Sequence, residues 1–405
     1  MKMRKRWMSI LLALCLSVSM IYPVSAGGIA GGLPEAAAQE TAAPADASAL
    51  EIPAQSYILL ESNTGTVITE KDADVQMPPA SITKIMTLLL VMEAVDSGKI
   101  SMEDTVTASE HASSMGGSQI WLKEGEQMAL TDVLKAAVVS SANDASVALA
   151  EHVAGSEESF VNLMNERAAQ LGMKNTVFHN ASGLDAEGHV SSARDIAIMA
   201  QELLKHPRIL DYTTIWMDSL RGGATELVNT NKLIRFYEGA TGLKTGTTED
   251  AGYCLCATAE RNGESLVAVV MGCTTTADRF SAARKLLDFG FANYTVFDPS
   301  TLELSLEPVP VKQGTAGQVE CELGQMQPVL LKKGQEKEVT TRVNLPADVL
   351  APVEQGQNLG NVELLHGEEK IGEYPIVAKT AVQKMTFSHA FFKMLGIASS
   401  MNHSV

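Results

Sequence analysis

Residues 78–95 read "PPASITKIMTLLLVMEAV". Its apolar run predicts a buried helix over Ile82–Val95, which follows closely on two prolines. A serine and a lysine, Ser81 and Lys84, lie three positions apart at the start of this helix, so their side chains share one face. A lysine in so apolar a helix calls for an explanation, because burial disfavours the charged form of an amine.

The pairing of Ser81 with Lys84 suggests a chemical role. A serine hydroxyl is a weak nucleophile until a neighbouring base takes its proton. Lys84 can be that base if burial and a second nearby cation lower its pKa. The alternative is a helix-capping serine beside a solvated lysine, because Ser-x-x-Lys also recurs by chance in helices. The motif alone does not decide between the two.

Two further motifs favour catalysis. Ser141-Ala142-Asn143 lies within "VVSSANDASVALAEH", and Lys244-Thr245-Gly246 lies within "ATGLKTGTTEDAGY", on a predicted strand. The three boxes in this order form a much more specific signal than any one of them. The sequence shows neither a phosphate-binding loop nor a metal-ligand motif, so we expect no cofactor and no metal.

Composition limits the class of protein. The chain has 405 residues, enough for two domains with their own cores. Its 45% hydrophobic and 20% charged residues are typical of a globular protein. The formal net charge is −17, which argues against a nucleic-acid partner because phosphate binding needs clustered cations.

The N-terminus predicts export. Residues 1–26 read as a basic segment, an apolar run and small residues before the cleavage point, the pattern of a cleaved secretory signal peptide. An uncleaved signal anchor is the alternative. Residues 27–53 are rich in Ala, Gly, Pro and Glu and predict a flexible leader.

Exported proteins often carry disulfides, and four cysteines follow the signal segment. Cys254 and Cys256 lie two positions apart on a predicted strand and would project from one face, which is poor geometry for a direct bridge. We therefore expect buried free thiols.

Strand and helix patterns predict an α+β catalytic domain over residues 54–297. "SYILLESNTGTVITEKD" predicts a hairpin with its turn at Asn63-Thr64-Gly65. Strands return as "GLKTGTT", "AGYCLCATAE" and "SLVAVVMGC", before a last helix in "DRFSAARKLLDFGFANY". Between these strands, helices are predicted over Ile82–Val95, Leu130–Val153, Glu158–Leu171 and Ala193–Lys205. This order predicts one antiparallel sheet built from both ends of the domain, with helices packed on it.

The C-terminal part has a different pattern. Residues 298–378 alternate apolar and polar positions between turns, which predicts a small all-β domain. Residues 379–405 predict an amphipathic C-terminal helix and tail; its apolar face carries Phe387, Phe391, Met394, Leu395 and Ala398. This helix is too short and too polar to span a bilayer, and we expect it on the membrane surface or packed on its own domain.

The three boxes resemble those of the serine penicillin-recognising enzymes. The text "FHNASGLDAEGHVSSARDIA" and "NTNKLIRFYEGATGLKTGTT" is similar to that of the D-alanyl-D-alanine carboxypeptidases of low molecular mass. The resemblance covers residues 54–294 and, loosely, the β domain and C-terminal helix. It implies a β-lactamase/transpeptidase-like catalytic domain, peptidoglycan stem peptides as substrates and β-lactam antibiotics as covalent inhibitors. The signal pattern predicts an extracytoplasmic, secreted enzyme, and the C-terminal helix predicts its attachment to the outer face of the cytoplasmic membrane.

The resemblance assigns catalytic roles to the first two boxes. Ser81 would attack the D-Ala-D-Ala peptide bond, with Lys84 as the proton acceptor. Ser141 would relay the proton to the leaving amine, and Asn143 would hold Lys84 and the substrate amide.

It assigns substrate binding to the third box. Lys244 would keep the site positive and attract the terminal carboxylate, and Thr245 of the same Lys-Thr-Gly246 box would bind that carboxylate. Arg279 matches a position where many relatives carry an arginine near the terminal carboxylate of the substrate. The oxyanion hole would use main-chain N–H groups of Ser81 and Thr247. Thr247 stands where many relatives have histidine; only its N–H is required.

Three alternatives stay open. A β-lactamase of the same fold would need a carboxylate that activates water, and Glu157, Glu158 and Glu166 fall in a predicted helix. A D,D-endopeptidase would use the same acyl-enzyme. A non-catalytic penicillin sensor would need a transmembrane link to a signalling part, and no segment after Gly27 is apolar enough. The adjacent Arg194 and Asp195 are interpreted as a structural ion pair.

Overall fold

The structure is a computed structural model and describes residues 50–391. At its centre is an antiparallel sheet in the order β2-β1-β9-β8-β7. The strands are β1 (Ser56–Glu61), β2 (Val67–Lys71), β7 (Ala240–Thr248), β8 (Gly252–Arg261) and β9 (Glu264–Cys273). The N-terminal hairpin thus pairs with β9, the last strand of this sheet in chain order, which confirms the predicted sheet. The predicted signal peptide and nearly all of the leader lie outside the described residues.

Both faces of this sheet are covered, because alternate residues of each strand point to opposite sides. On β1, Ile58 and Leu60 pack in the core formed with the helices between β2 and β7. Tyr57 and Leu59 pack on the other side, against the helix that follows β9. The result is a helix–sheet–helix arrangement, which confirms the α+β class.

The helices of the catalytic part are α1 (Lys84–Asp96), α2 (Glu110–Ser113), α3 (Leu130–Val139), α4 (Asn143–Ala154), α5 (Glu157–Gln170), α6 (Ala193–Leu204), α7 (Leu210–Thr213), α8 (Leu233–Phe236) and α9 (Thr276–Asn293). Two small hairpins lie among them, β3 (Thr105–Thr107) with β4 (Gln127–Ala129), and β5 (Met217–Leu220) with β6 (Thr225–Val228).

Two predicted helix boundaries were wrong, and both errors fall at the boxes. The helix predicted over Leu130–Val153 is interrupted between α3 and α4, where Ser141 has φ 62°. The helix predicted from Ile82 starts at Lys84, because Ala80–Thr83 form a 3-10 turn. The positive φ of Ser141 is costly for a residue other than glycine and is not visible in a hydrophobic pattern.

The C-terminal part is all-β, as predicted. It contains a three-stranded sheet in the order β12-β11-β16 and a four-stranded sheet in the order β13-β18-β17-β15. A further pair, β10 with β14, joins the end of the catalytic part to this region. These strands are β10 (Tyr294–Phe297), β11 (Val309–Lys312), β12 (Gln318–Val319), β13 (Cys321–Leu323), β14 (Val329–Lys332), β15 (Val339–Asn344), β16 (Val349–Leu350), β17 (Asn358–His366) and β18 (Glu369–Ala378).

Only the beginning of the predicted C-terminal helix is described. Residues 387–391 are helical, and Phe387 is 87% exposed. Met394, Leu395 and Ala398 lie outside the described residues. Within residues 50–391, no helix has the length and apolar character needed to cross a bilayer.

Candidate active site

The turn that carries Ser81 is held between two glycines. A Cβ on Gly246 of β7 would lie 2.7 Å from the Pro79 carbonyl oxygen. On the other side, a Cβ on Gly183, which has φ 82°, would lie 1.9 Å from the Ala80 carbonyl oxygen. Strand β7 and the Gly183 loop can approach the turn this closely only because neither carries a side chain at that point.

Lys84 is fully buried beside Ser81. Its Nζ lies 3.0 Å from the Ser81 Oγ, 2.6 Å from the Asn143 Oδ1 and 2.5 Å from the Ser182 carbonyl oxygen. The last two atoms can only accept hydrogen bonds. A neutral amine has two N–H groups and one lone pair, so it can donate to both acceptors and point its lone pair at the Ser81 hydroxyl. The three neighbours of Lys84 therefore fit the form that acts as a base.

The second box adjoins this pair. The Asn143 Nδ2 donates to the Gly116 carbonyl oxygen at 2.7 Å, so the amide orientation is fixed and its oxygen faces Lys84. Ser141 is buried in the break before α4, and its hydroxyl has no hydrogen-bond partner among residues 50–391. An unpaired hydroxyl two positions from Asn143 is free to receive or pass a proton.

Burial and charge lower the pKa values of both site lysines. Burial is the largest cause of a Lys84 pKa well below its ordinary value, and the nearby Lys244 lowers it further. The Asp144 carboxylate opposes part of this effect. Burial, followed by the Arg279 charge, lowers the pKa of Lys244 from 10.5 to about 7. An environment that disfavours ammonium groups is what a lysine base requires.

The third box supplies polar groups along β7. The Thr245 Oγ1 donates to the Thr230 Oγ1 at 2.7 Å. The buried Arg279 on α9 donates through Nη1 to the Gly246 carbonyl oxygen at 3.1 Å and to the Thr247 Oγ1 at 2.8 Å. The structure thus brings Arg279 to the end of the Lys-Thr-Gly box.

Two contributors to the site were missed by sequence reasoning. Ser182 acts through its main-chain carbonyl, which no side-chain motif can reveal. Its loop is fixed by the Asn180 Oδ1, which accepts from the N–H groups of Ser182 and Gly183 at 3.2 and 2.6 Å. Thr230 was the second. It lies in the "NTNK" segment that is similar to the family, and this similarity was the only sign in the sequence that Thr230 would bind Thr245.

Glu157, considered above as a possible water-activating carboxylate, has other partners. Its Oε1 accepts from the Ala181 N–H at 2.9 Å, and its Oε2 lies 2.6 Å from the His111 Nε2. One carboxylate oxygen thereby holds the loop before Ser182, and the other pairs with His111 on α2. These contacts give Glu157 a structural role.

His189 joins the loop before Ser182 to the 3-10 turn that precedes α1. Its Nδ1 accepts from the His179 N–H at 3.1 Å, so in the neutral ring the proton is on Nε2, which lies 2.8 Å from the Thr83 Oγ1. Burial, with a smaller contribution from His179, lowers the pKa of His189 to about 4. His189 therefore stays neutral near pH 7 and links the loop to the residue before Lys84.

Comparison with known proteins identifies the family. Residues 39–275 match the peptidase family S11 model, described as D-alanyl-D-alanine carboxypeptidase. The chain belongs to the D-alanyl-D-alanine carboxypeptidase family. Residues 300–384 match the family of the C-terminal domain of penicillin-binding protein 5. This second match covers the all-β part of the carboxypeptidase.

Individual relatives agree over most of the chain. D-alanyl-D-alanine carboxypeptidase DacF of Bacillus subtilis is 44% identical over 82% of this carboxypeptidase and 87% of its own length. Penicillin-binding protein 5 of Haemophilus influenzae superposes with a TM-score of 0.75 at 33% identity, covering 83% of this chain and 99% of its own. Penicillin-binding protein D2 of Listeria monocytogenes, in its ampicillin-bound form, gives 0.55 at 33% identity over 60% of this chain and 99% of its own. The carboxypeptidase is thus a hydrolase with a penicillin-binding catalytic domain.

Proposed function

We propose that this carboxypeptidase is exported and removes the terminal D-Ala from peptidoglycan stem pentapeptides through an acyl intermediate on Ser81. The observation that carries the proposal is the burial of Lys84 between the Ser81 hydroxyl and two pure acceptors, on Asn143 and Ser182. Burial and the nearby Lys244 lower the pKa of Lys84, which favours an uncharged base directly beside the nucleophile. The family match supports the reaction class.

Acylation follows from this geometry. Neutral Lys84 takes the proton of the Ser81 hydroxyl, and the Ser81 oxygen attacks the carbonyl carbon between the two D-Ala residues. Main-chain N–H groups of Ser81 and Thr247 stabilise the resulting oxyanion, each worth about 3 kcal/mol of barrier. The proton passes by way of Ser141 to the departing amine, and free D-Ala leaves. Water then hydrolyses the ester and returns the proton to Ser81.

Substrate binding uses the cationic end of β7. A peptide that ends in D-Ala presents a free carboxylate, and the Lys244 and Arg279 side chains provide positive charge for it. In the substrate-free structure the Thr245 hydroxyl donates to the Thr230 Oγ1 at 2.7 Å. When substrate binds, it accepts from the Thr230 hydroxyl instead and donates its single proton to the same carboxylate. Thr247 replaces the histidine common in relatives, which leaves Arg279 a hydroxyl partner at 2.8 Å.

The test is D-Ala release from an N-acetylated peptide that ends in D-Ala-D-Ala, measured with and without penicillin. Wild-type enzyme should release D-Ala and should carry a long-lived penicilloyl group on Ser81, seen by intact mass spectrometry. Ser81→Ala should abolish both signals while keeping the wild-type melting temperature. Rapid loss of the penicilloyl group with no D-Ala release would support a β-lactamase instead.

We propose the same division of the chain as the sequence predicts. It comprises a signal peptide over residues 1–26, a leader over 27–53, a catalytic domain over 54–297, a β domain over 298–378 and an amphipathic C-terminal segment over 379–405. The first residues of the last segment pack on the β domain, because Val382 lies in its core. The match of residues 300–384 to a single C-terminal family supports the boundary between the catalytic domain and the β domain.

We further propose that the C-terminal segment holds the enzyme on the outer surface of the cytoplasmic membrane. The exposed stacked rings of Phe387 and Phe391 support this role. A truncation should begin at Thr386, because Val382 is buried in the β domain. The truncated enzyme should keep wild-type D-Ala release in solution and lose binding to anionic vesicles. Unchanged vesicle binding would refute the anchor.

A further inference from the structure

Trp121 is the most exposed tryptophan or large aliphatic side chain of the catalytic part, with 72% of its surface in solvent. It stands between Ile120 and Leu122, which are both buried. Its φ is 54°, in the left-handed region that bulky residues rarely adopt. The chain therefore holds a large aromatic ring outward in an unfavourable backbone conformation.

This conformation is fixed by contacts on both sides of Trp121. The N–H groups of Ile120 and Leu122 donate to the buried Asp144 carboxylate, at 3.1 and 3.0 Å to its Oδ2. The Arg221 Nη1 donates to the Ile120 carbonyl oxygen at 2.8 Å. The main chain on either side of the ring is thus tied down, and the ring has a defined position before any ligand arrives.

The loop that carries Trp121 forms a wall of the catalytic site. Its Gly116 carbonyl oxygen accepts from the Asn143 side chain, and its Ser118 carbonyl oxygen accepts from the Asn143 N–H at 2.7 Å. The Asp144 carboxylate that holds this loop is close enough to influence the pKa of Lys84. The ring is therefore carried by a loop that contacts the catalytic residues directly.

The surroundings of Trp121 indicate the kind of ligand. Ser118, Lys123 and Glu124 on the same loop are exposed polar residues, so the ring is an isolated apolar surface within a polar rim. Docking of a protein or a membrane generally uses larger contiguous apolar patches. A single ring bordered by hydrogen-bonding groups suits a ligand with one apolar face and many hydroxyls, and a sugar ring is such a ligand.

We propose that Trp121 is a platform on which a sugar of the glycan strand stacks while the stem peptide attached to it occupies the cleft. The inference rests on the proposed function, because it takes the stem peptide as the substrate. The peptide carboxylate is bound near Lys244 and Arg279, so the glycan enters from the other end of the peptide. Specificity would then depend on the strand as well as on the D-Ala terminus.

The experiment compares two substrates, a free stem pentapeptide and the same pentapeptide attached to a disaccharide-repeat glycan. The variant is Trp121→Asn, because asparagine tolerates positive φ and so removes the ring without adding backbone strain. We expect kcat/KM for the glycan-linked substrate to fall by about 3- to 10-fold, the size of a ring-stacking contact, mainly through KM. Release from the free pentapeptide and the rate of penicillin labelling should not change.

Two further variants complete the design. Trp121→Tyr keeps an aromatic ring and should retain most of the glycan effect. Leu350→Asn removes a side chain that is 60% exposed in the β domain, and it should affect neither substrate.

Three outcomes would contradict the proposal that Trp121 is a platform for a sugar. Equal losses on both substrates would show that Trp121 only shapes the cleft, and no loss on either would show that the ring is idle. A change from dimer to monomer in light scattering would show that a second copy of the chain covers Trp121. Failure of wild-type enzyme to release D-Ala from the free pentapeptide would instead contradict the proposed function, so the two failures are distinguishable.

Discussion

A Lys244→Met variant is expected to lose activity and gain stability. Lys244 is 1% exposed, and burial together with Arg279 lowers its pKa to about 7. In the unfolded chain the same amine keeps its proton up to about pH 10.5. Between these two values the unfolded state binds more protons than the folded state, so wild-type stability rises with pH. Folding at neutral pH therefore works against protonation of Lys244.

The size of this effect follows from the two pKa values. The interval from 10.5 to about 7 corresponds to roughly 5 kcal/mol at neutral pH. Methionine has a similar shape and needs no proton, but it loses the hydrogen bond from the Lys244 Nζ to the Thr245 carbonyl oxygen at 3.3 Å, worth about 1 kcal/mol. Allowing for relaxation around the buried amine, we expect a gain of about 2–4 kcal/mol at pH 7. At pH 10 the gain should fall below about 1 kcal/mol.

Urea unfolding of both proteins at pH 7 and pH 10 measures this difference, and D-Ala release measures the loss of activity. Lys99→Met is the matched control, because Lys99 is exposed, and its stability should stay within about 0.5 kcal/mol of wild type. The reasoning would be refuted if Lys244→Met were less stable than wild type at pH 7, or if its gain were the same at both pH values.

Three other predictions concern neighbouring groups. Gly183→Ala places a methyl group 1.9 Å from the Ala80 carbonyl oxygen, so it should lower the free energy of unfolding by about 2–5 kcal/mol and abolish penicillin labelling. Gly172→Ala, at φ 74° with open space around it, is the control and should lower it by only about 1–2 kcal/mol. Equal losses of stability in urea unfolding would contradict the clash. Thr230→Val removes the partner of Thr245 and should lower kcat/KM about fivefold at unchanged melting temperature; unchanged kinetics would remove Thr230 from the site. Residual penicillin acylation of Lys244→Met should need a higher pH than that of wild type, because Lys244 lowers the pKa of Lys84; an acid limb at the same or a lower pH would contradict this coupling.

The fold was largely predictable because its strands and helices follow simple periodic patterns. The hairpin around Asn63-Thr64-Gly65 and the three strands β7, β8 and β9 were recognised from alternation and turn residues. The break at Ser141 was not, because its positive φ is maintained by the packing of α3 and α4 and leaves no local signal. The 3-10 turn before Lys84 was missed for the same reason.

The candidate site was predictable only where it is formed by side chains that belong to a sequence motif. The structure brings the three boxes together around Ser81, while the roles assigned to their residues stay predictions. The contributions of Ser182 and Gly116 are main-chain carbonyl groups, whose positions depend on loops folded far from the boxes in sequence. A sequence motif lists side chains, so it does not reveal which main-chain carbonyl groups reach the site.

Arg194 and Asp195 show a further limit of sequence reasoning. Their interpretation as an ion pair with each other was wrong, since adjacent residues on a helix do not face one another. Arg194 pairs with Glu70 at 2.8 Å and Asp74 at 2.9 Å, whereas Asp195 accepts from the Asn175 N–H at 2.7 Å. Both residues are structural, but each joins α6 to a different neighbour.

The pairing of β1 with β9 has a consequence for the order in which the enzyme matures. Strand β1 is synthesised among the first segments of the catalytic domain, and its partner appears only when that domain is almost complete. Contacts so distant in sequence slow folding. In a chain exported as proposed, we expect the central sheet to close only after β9 has followed β1 across the membrane, so that the turn carrying Ser81 is first assembled outside the cytoplasm.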